Sequence, residues 1–104
     1  MRFAVICAIL ADSANTLKEF NEVVFSHRKL VKVHTEIPFQ KGTDAVSLMV
    51  AGKIDEINAL TERLGNIPHI QINMAVSKRE IENEYWGFLL DKYSGLGKLV
   101  PKND

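Results

Sequence analysis

The stretch that most constrains the fold is residues 54–77, where a helical pattern gives way to a strand pattern. Four apolar residues recur at helical spacing before Gly65, namely Ile54, Ile57, Leu60 and Leu64. After Pro68, apolar residues at 70, 72, 74 and 76 alternate with Gln71, Asn73 and Ala75. This order predicts an amphipathic helix with a glycine stop, a short loop and a half-buried strand.

The first half of the chain holds the same two patterns in the opposite order. Residues 3–10 are apolar at both strand parities, which predicts a strand covered on both faces. A helical stripe follows at Leu17, Phe20, Val23 and Val24, and further strand patterns occupy 30–37, closed by Pro38, and 45–51. The predicted order is β-α-β-β-α-β, which is an α+β fold with two helices on one face of a four-stranded sheet.

Two capping boxes predict where helices begin. Thr16 and Glu19 place the start of the first helix at Asn15 or Thr16, and we expect its end near His27.

In strand 30–37, apolar Val31 and Val33 share one parity, and the opposite parity is polar.

The second capping box, Ser77 with Glu80, predicts an additional C-terminal helix. Its apolar stripe comprises Ile81, Tyr85, Phe88 and Leu89. We therefore expect a βαββαβ domain at 1–77, followed by a C-terminal helix and tail at 78–104.

The second face of the first strand predicts self-association. Phe3, Val5, Cys7 and Ile9 would lie on the sheet face that the two helices leave open. An extended apolar face in water is unusual for a monomer. We expect a homodimer or higher oligomer to which the C-terminal helix contributes; the alternative is that this helix covers its own sheet.

Composition narrows the class of protein. The 104 residues carry 13 basic and 13 acidic side chains, so the basic excess of a nucleic-acid binder is missing. The longest apolar runs are too short for a membrane span. A single cysteine, Cys7, fits a reducing cytoplasm, and we expect a cytoplasmic protein without direct nucleic-acid or membrane partners.

No group of residues in the sequence has the spacing of a catalytic or metal-binding motif. Cys7, His27, His34 and His69 contain no paired metal-ligand spacing, so we predict no metal site, no cofactor and no catalytic residues. The run 95–99 follows a helix pattern and lacks the first glycine of a phosphate loop. Acylphosphatase-type enzymes need an arginine in the loop after the first strand, and residues 11–15 contain none. RNA-binding relatives need exposed aromatics on the central strands, which are also missing.

The remaining candidate is the loop that joins the first strand to the first helix. A helix start presents free backbone N–H groups and a positive dipole, which together can receive a small anionic group. The candidate ligand-binding residues are Asp12, Ser13, Ala14, Asn15 and Leu17. Simple helix capping is the competing interpretation.

At this loop the chain resembles the ACT-domain signature Asp-x-Pro-Gly-x-Leu. Asp12 and Leu17 match, whereas Ala14 replaces the proline and Asn15 replaces the glycine. Asparagine tolerates the left-handed backbone better than most residues, so the turn can survive at Asn15.

A wider resemblance covers residues 2–77, through the segments 4–10, 18–24, 37–39 and 57–68. Together these segments resemble the small ACT-like family labelled iron-only hydrogenase system regulators. The resemblance implies a ferredoxin-like fold, oligomeric assembly and a regulatory role. The ACT-like superfamily also includes a nickel-sensing domain with three histidine ligands and one cysteine ligand. The histidine positions here do not match its paired motif, and we do not transfer those ligands. The segment after Ser77 departs from typical members.

Two classes of function follow from these observations. The first is a non-enzymatic regulatory module that binds a small-molecule effector or a partner protein at a subunit interface, as a regulator of an iron-only hydrogenase system. The alternative is a small dimeric ferredoxin-like enzyme, in which Cys7, His34 or Asp12 supplies the polar group of a pocket, or a metal-sensing domain.

Overall fold

The computed structural model describes residues 1–80, which form a sheet with two helices on one face. In chain order the elements are β1 Arg2–Ala11, α1 Ser13–Ser26, β2 Val31–Gln40, β3 Thr43–Gly52, α2 Ile54–Gly65 and β4 Ile70–Val76. The predicted β-α-β-β-α-β order is therefore confirmed. The additional C-terminal helix predicted from residue 81 onward lies outside the described residues.

The sheet is antiparallel throughout and has the strand order β2-β3-β1-β4, with β3 and β1 in the middle. Phe3 lies opposite Ala51, Val5 opposite Met49, and Ile9 opposite Ala45. Residues directly opposite each other share a face of the sheet. The face opposite the helices, called here the open face, is therefore mainly apolar along β1 and β3, with Ser47 opposite Cys7 as a polar position in its middle.

The core lies between the helices and the other face of the sheet. Its fully buried side chains include Ile6 and Leu10 of β1, Phe20 of α1, Leu48 of β3 and Leu60 of α2. β1 supplies its even-numbered residues to this core and its odd-numbered residues to the open face. The double-sided apolar character of residues 3–10 is thus a consequence of the central position of β1.

β2 departs from the predicted single parity because of an irregularity at Lys32. Val31 lies opposite Val50 on the helix face, but Val33 lies opposite Met49 on the open face. One extra residue in the strand moves every later side chain to the other face. His34, predicted on the polar and solvated side, consequently lies opposite Leu48 on the helix face and is half-buried.

β2 also runs past Pro38, which was predicted to end it. The strand continues to Gln40, and a turn at Lys41 and Gly42 leads directly into β3. Because β2 is an edge strand, it can contain proline where no ladder hydrogen bond from that residue is needed.

The predicted capping box at Thr16 is wrong. α1 begins at Ser13, three residues earlier, after an N-cap residue, Asp12, in the left-handed conformation. Thr16 is buried in the first turn, and its hydroxyl donates to the carbonyl oxygens of Ala11 and Asp12. A threonine that bonds back to the preceding carbonyls in this way stabilises the entry to the helix without being its cap.

The second predicted capping box, at Ser77, is also wrong. The Ser77 N–H donates to Phe3 O at 2.7 Å, and the Phe3 N–H donates to the Ser77 hydroxyl at 3.0 Å. Glu80 instead pairs with the amino group of Met1 at 2.6 Å. The hydrogen bond from this amino group lowers the pKa of the Glu80 carboxyl, and the charges of Met1 and Arg2 act in the same direction.

α2 ends at Gly65 as predicted, although by a different mechanism. The helix closes on Asn66, which has a right-handed backbone and donates its N–H to Glu62 O at 3.1 Å. Gly65 needs no positive φ here, so its effect on the helix is that of a weak helix former rather than a left-handed cap.

Candidate functional site

Three connections meet at one end of the sheet, called here the loop end. The junction of β1 and α1 lies between the β2–β3 turn and the loop that precedes β4. The Ser13 N–H donates to Gly42 O at 3.1 Å, and the Ala11 N–H donates to His69 O at 2.9 Å. The β1–α1 junction that the sequence singled out is therefore held by both of its neighbours.

Two non-glycine residues with positive φ lie at this end. Asp12 has φ 52° and His69 has φ 68°, and both carry a side chain. Aspartate and histidine tolerate this region better than most residues, but it still costs free energy. The resemblance to the ACT signature predicted a left-handed residue at Asn15. In the structure the left-handed residue is Asp12, and Asn15 lies within α1.

The backbone N–H groups at the start of α1 are mostly occupied. Ser13 donates to Gly42 O, and the N–H groups of Asn15 and Thr16 both donate to Asp12 O. Within the described residues, this leaves Ala14 as the N–H group in the first turn with no recorded acceptor. The expected anion-binding corner thus has one free donor where a bare helix start would have four.

The charge at the helix start is negative rather than positive. The side-chain amide of Asn15 donates to both carboxylate oxygens of Asp12, at 3.1 Å each. This arrangement fixes an exposed carboxylate beside the helix N-terminus, where the dipole stabilises it. An incoming anion would be repelled by Asp12, whereas an ammonium or other cationic group would be attracted.

The five candidate residues separate into two groups. Asp12, Ala14 and Asn15 are exposed, and Ser13 is half-buried against the β2–β3 turn. Leu17 packs against the core, so its place in the motif has a structural explanation.

Next to this junction, a shallow groove of about 410 Å³ opens on the loop end of the sheet. It is lined by Ile9, Ala11, Thr43, His69, Ile70 and Gln71. The polar groups of Thr43, His69 and Gln71 were not predicted as site residues, because they reach β1 only through its pairing with β3 and β4. The positive φ of His69, which follows Pro68, carries no sequence signal that would single it out.

A second cleft, of about 430 Å³, lies at the opposite end of the helices and is lined mainly by residues 26–30 with Glu56 and Ala59. Its basic groups bond to the end of α1. Arg28 donates to Phe25 O at 3.2 Å, and Nδ1 of His27 lies 3.1 Å from Val23 O. Cationic side chains at a helix C-terminus satisfy its free carbonyl groups, and capping accounts for this cluster.

The residues weighed for metal binding or for catalysis are dispersed. Cys7 is exposed on the open face, His34 lies on the helix face, His27 follows α1, and His69 precedes β4. Among residues 1–80, no group of three or more histidine, cysteine, aspartate or glutamate side chains is placed to hold a metal ion. The enzyme alternative needs Cys7, His34 or Asp12 to supply the polar group of a pocket, and none of the three lines either of the two clefts described above.

The fold is the ferredoxin-like βαββαβ architecture, which ACT domains also have. A structural match supports this class: the ACT domain of GTP pyrophosphokinase from Chlorobium tepidum, with a TM-score of 0.61 at 13% identity, covers 70% of this chain and 96% of that domain. Acylphosphatase from Bacillus subtilis matches with a TM-score of 0.51 at 14% identity, over 78% of this chain and 90% of that one.

Within this class, the chain belongs to the TM1266-like family, described as "Iron-only hydrogenase system regulator, putative", whose sequence profile matches residues 2–74. The uncharacterized protein TM1266 from Thermotoga maritima matches in structure with a TM-score of 0.70 at 18% identity. That match covers 75% of this chain and 100% of TM1266. No curated protein gives a significant match. In the part of the chain that the structure describes, neither helix has the length and apolar character of a membrane span.

Proposed function

We propose that this chain is a non-enzymatic cytoplasmic regulatory module that binds a small effector with a cationic group at the loop end of the sheet. The observation that carries the proposal is the exposed Asp12 carboxylate, which Asn15 holds in place one residue from the groove. A fixed carboxylate beside a partly apolar groove suits a small molecule with an ammonium group and an apolar part. The family description supports regulation, and the hydrogenase system is the pathway it indicates.

The same end of the sheet offers a surface for self-association. Ile9 and Ile37 both lie opposite Ala45, so the three residues form one row across the open face. Ile9 is 49% exposed and Ile37 is 58% exposed. A homodimer through this patch, which we call the loop-end patch, would exclude water from it and would add a second wall to the groove.

Backbone chemical-shift mapping with amino acids, polyamines, nucleotides and divalent metals tests the proposed effector site. We expect a cationic or zwitterionic candidate to shift the amides of Asp12, Asn15, His69 and Gln71. Asp12→Asn should weaken that binding at least about tenfold, since it removes the charge of an ion pair. Glu19→Gln removes an exposed carboxylate about two turns further along α1; it is the matched control and should leave the affinity unchanged.

Two results would contradict the proposal. Shifts that cluster at Cys7, His27 and His34 with a divalent metal would favour the metal-sensing alternative. If an anionic candidate shifted only the amides of residues 26–30, the binding site would be the second cleft, at the C-terminal end of α1.

A further inference from the structure

The two edge strands of the sheet differ in how far they resist pairing with another strand. β2 carries the charged residues Lys32 and Glu36, contains Pro38 and is irregular at Lys32. Charge, proline and local distortion each hinder the addition of a further strand to an edge. β4, the edge strand on the other side, has the sequence IQINMAV, without charge, proline or glycine. None of the protective features of β2 is therefore present in β4.

The hydrogen bonds between β1 and β4 determine which backbone groups of β4 point outward. The Ala11 N–H donates to His69 O and the Ser77 N–H donates to Phe3 O, at the two ends of the β1–β4 register. Hydrogen-bonded pairs alternate with non-hydrogen-bonded pairs along an antiparallel ladder, so the odd-numbered residues of β4 bond to β1. The outward N–H and C=O groups belong to the even-numbered residues Ile70, Ile72, Met74 and Val76.

This outward edge is unpaired within residues 1–80. No strand of that range lies beyond β4, and no hydrogen bond there uses the outward N–H groups of Ile72 or Met74. Their side chains pack against the core but are only half-buried, whereas Ile6 and Leu48 on the central strands are fully buried. An added strand would satisfy these backbone groups and would also complete the burial of the side chains.

The β4 strand of a second copy has the geometry and the chemistry that this edge requires. In an antiparallel pair that uses every outward group, Ile70 lies opposite the partner's Val76 and Ile72 lies opposite the partner's Met74. About eight backbone hydrogen bonds form, and apolar side chains meet apolar side chains on the helix face. The two-fold axis passes beside Asn73, so each Asn73 faces the partner's Asn73 and no like charges come together.

We propose that β4 is a self-association surface, at which two copies join edge to edge through antiparallel β4 strands with Asn73 at the two-fold axis. The two sheets then continue into one another, with α1 and α2 of both copies on the same face. This surface is an edge of the sheet, whereas the loop-end patch lies on its open face, so either contact can fail without the other.

Disulfide formation tests the position of the axis. Asn73→Cys is made in a Cys7→Ser background, because Cys7 lies opposite Asn73 in β1. At the axis the two thiols occupy a non-hydrogen-bonded pair with Cα atoms about 4.5 Å apart, which a disulfide can bridge. Gln71→Cys in the same background is the matched control, since it faces the partner's Ala75 and lies roughly 13 Å from the partner's residue 71. With oxidised glutathione, Asn73→Cys should cross-link at least about tenfold faster than Gln71→Cys, as measured on non-reducing gels.

Amide hydrogen exchange of the unmodified chain tests the backbone pairing. The N–H groups of Ile72 and Met74 point outward, whereas those of Gln71 and Asn73 bond to β1. Raising the protein concentration through the dimerisation range should slow exchange at Ile72 and Met74 at least about tenfold. Exchange at Gln71 and Asn73 should change much less, because their partners lie in the same chain.

Charge substitutions separate this contact from the loop-end patch. Asn73→Lys puts two like charges opposite each other and should abolish the concentration-dependent protection of Ile72 and Met74. Gln71→Lys, which faces an alanine, is the matched control and should retain that protection. Ile37→Asp in the loop-end patch should retain it as well. Slow exchange at Leu48 must persist in every variant, which separates loss of pairing from unfolding.

Four outcomes would overturn the proposal. In the first, the two cysteine variants cross-link at equal rates. In the second, Ile72 and Met74 exchange equally fast at every concentration, so that the edge is unpaired. In the third, they exchange equally slowly at every concentration, so that the edge is covered within a single chain. In the fourth, Ile37→Asp removes their protection, which would assign it to the loop-end patch.

Discussion

Asn15 donates one amide group to both carboxylate oxygens of Asp12, and this pair closes the first turn of α1. Asp12 has the left-handed backbone, whereas Asn15 is helical. The backbone of Asp12 therefore determines the direction of the turn, and the hydrogen bonds from Asn15 fix the position of the Asp12 carboxylate.

We predict that Asp12→Val destabilises the protein more than Asn15→Val. A β-branched side chain at φ 52° costs roughly 1–2 kcal/mol of strain. Valine in the first turn of a helix costs only about 0.5 kcal/mol in propensity. Urea unfolding of both variants checks the order. Because both variants lose the Asp12–Asn15 pair, a larger loss for Asn15→Val would contradict the expected backbone strain at position 12.

Two glycines should respond to alanine in opposite directions. A Cβ on Gly52 would lie 2.5 Å from Cδ2 of the buried Leu30, so Gly52→Ala should cost about 1–3 kcal/mol through overpacking. A Cβ on Gly65 would meet no atom within 4 Å, so Gly65→Ala at the end of α2 should gain about 0.5–1 kcal/mol. Thermal and urea unfolding of the two variants measure the change in the free energy of unfolding for each. Equal changes in the two variants would contradict the close packing of Gly52 against Leu30.

Self-association through the loop-end patch predicts that Ile37→Asp weakens a dimer. Burying an aspartate in place of an apolar side chain should raise the dissociation constant at least about tenfold. Phe25, which is 63% exposed on α1 beneath the guanidinium of Arg28, provides the control Phe25→Asp, for which we expect no change. Sedimentation equilibrium decides, and a wild-type chain that stays monomeric near 100 µM would refute self-association.

Residues 1–80 should fold without the rest of the chain. The core cluster extends from Ala4 to Ile67, and β4 completes the sheet at Val76. We expect a truncated protein ending at Glu80 to give the circular dichroism spectrum of a folded α+β domain and a cooperative unfolding transition. Loss of both would mean that the following segment belongs to the folding unit, and that the division into 1–77 and 78–104 is wrong.

The contact between Glu80 and Met1 predicts that the stability of the protein depends weakly on acid pH, through the ion pair beside the start of β1. The amino group holds the pKa of the folded Glu80 carboxyl below the 4.5 typical of glutamate. A depressed pKa means that the stabilisation is complete above pH 4.5 and is lost as the pH falls through the folded value. Titration of the Glu80 side-chain carbonyl by NMR, in the folded and in the urea-unfolded chain, should give the lower midpoint in the folded chain. Equal midpoints would contradict the contact.

The order of the elements was predictable because each has a clear hydrophobic period. Phe20, Val23 and Val24 occur at helical spacing, and β4 alternates over its whole length. These patterns reflect burial on one face, which every residue of the element shares. The family could be recognised for the same reason, since its matching segments coincide with these elements.

The details at the ends of elements were not predictable from the same patterns. Thr16 and Ser77 both satisfy the sequence pattern of a capping box, yet each hydroxyl is used by backbone groups that only the folded chain brings close. The groove was not predicted for a related reason. Thr43 begins β3, whereas His69 and Gln71 lie at the start of β4, and these two places meet only when β1 pairs on both sides. Tertiary pairing, rather than local propensity, decided these positions.

The irregularity at Lys32 lets Val31 and Val33, two residues apart in β2, lie on opposite faces of the sheet. Lys32 is the extra residue, so its deletion would place Val33 directly after Val31 and would leave Val31, Val33 and His34 on their present faces. Deletion of Thr35 would instead remove the extra residue further along the strand, and would turn Val33 and His34 onto the opposite faces. Loss of one codon should therefore be tolerated during evolution at position 32 and not at position 35.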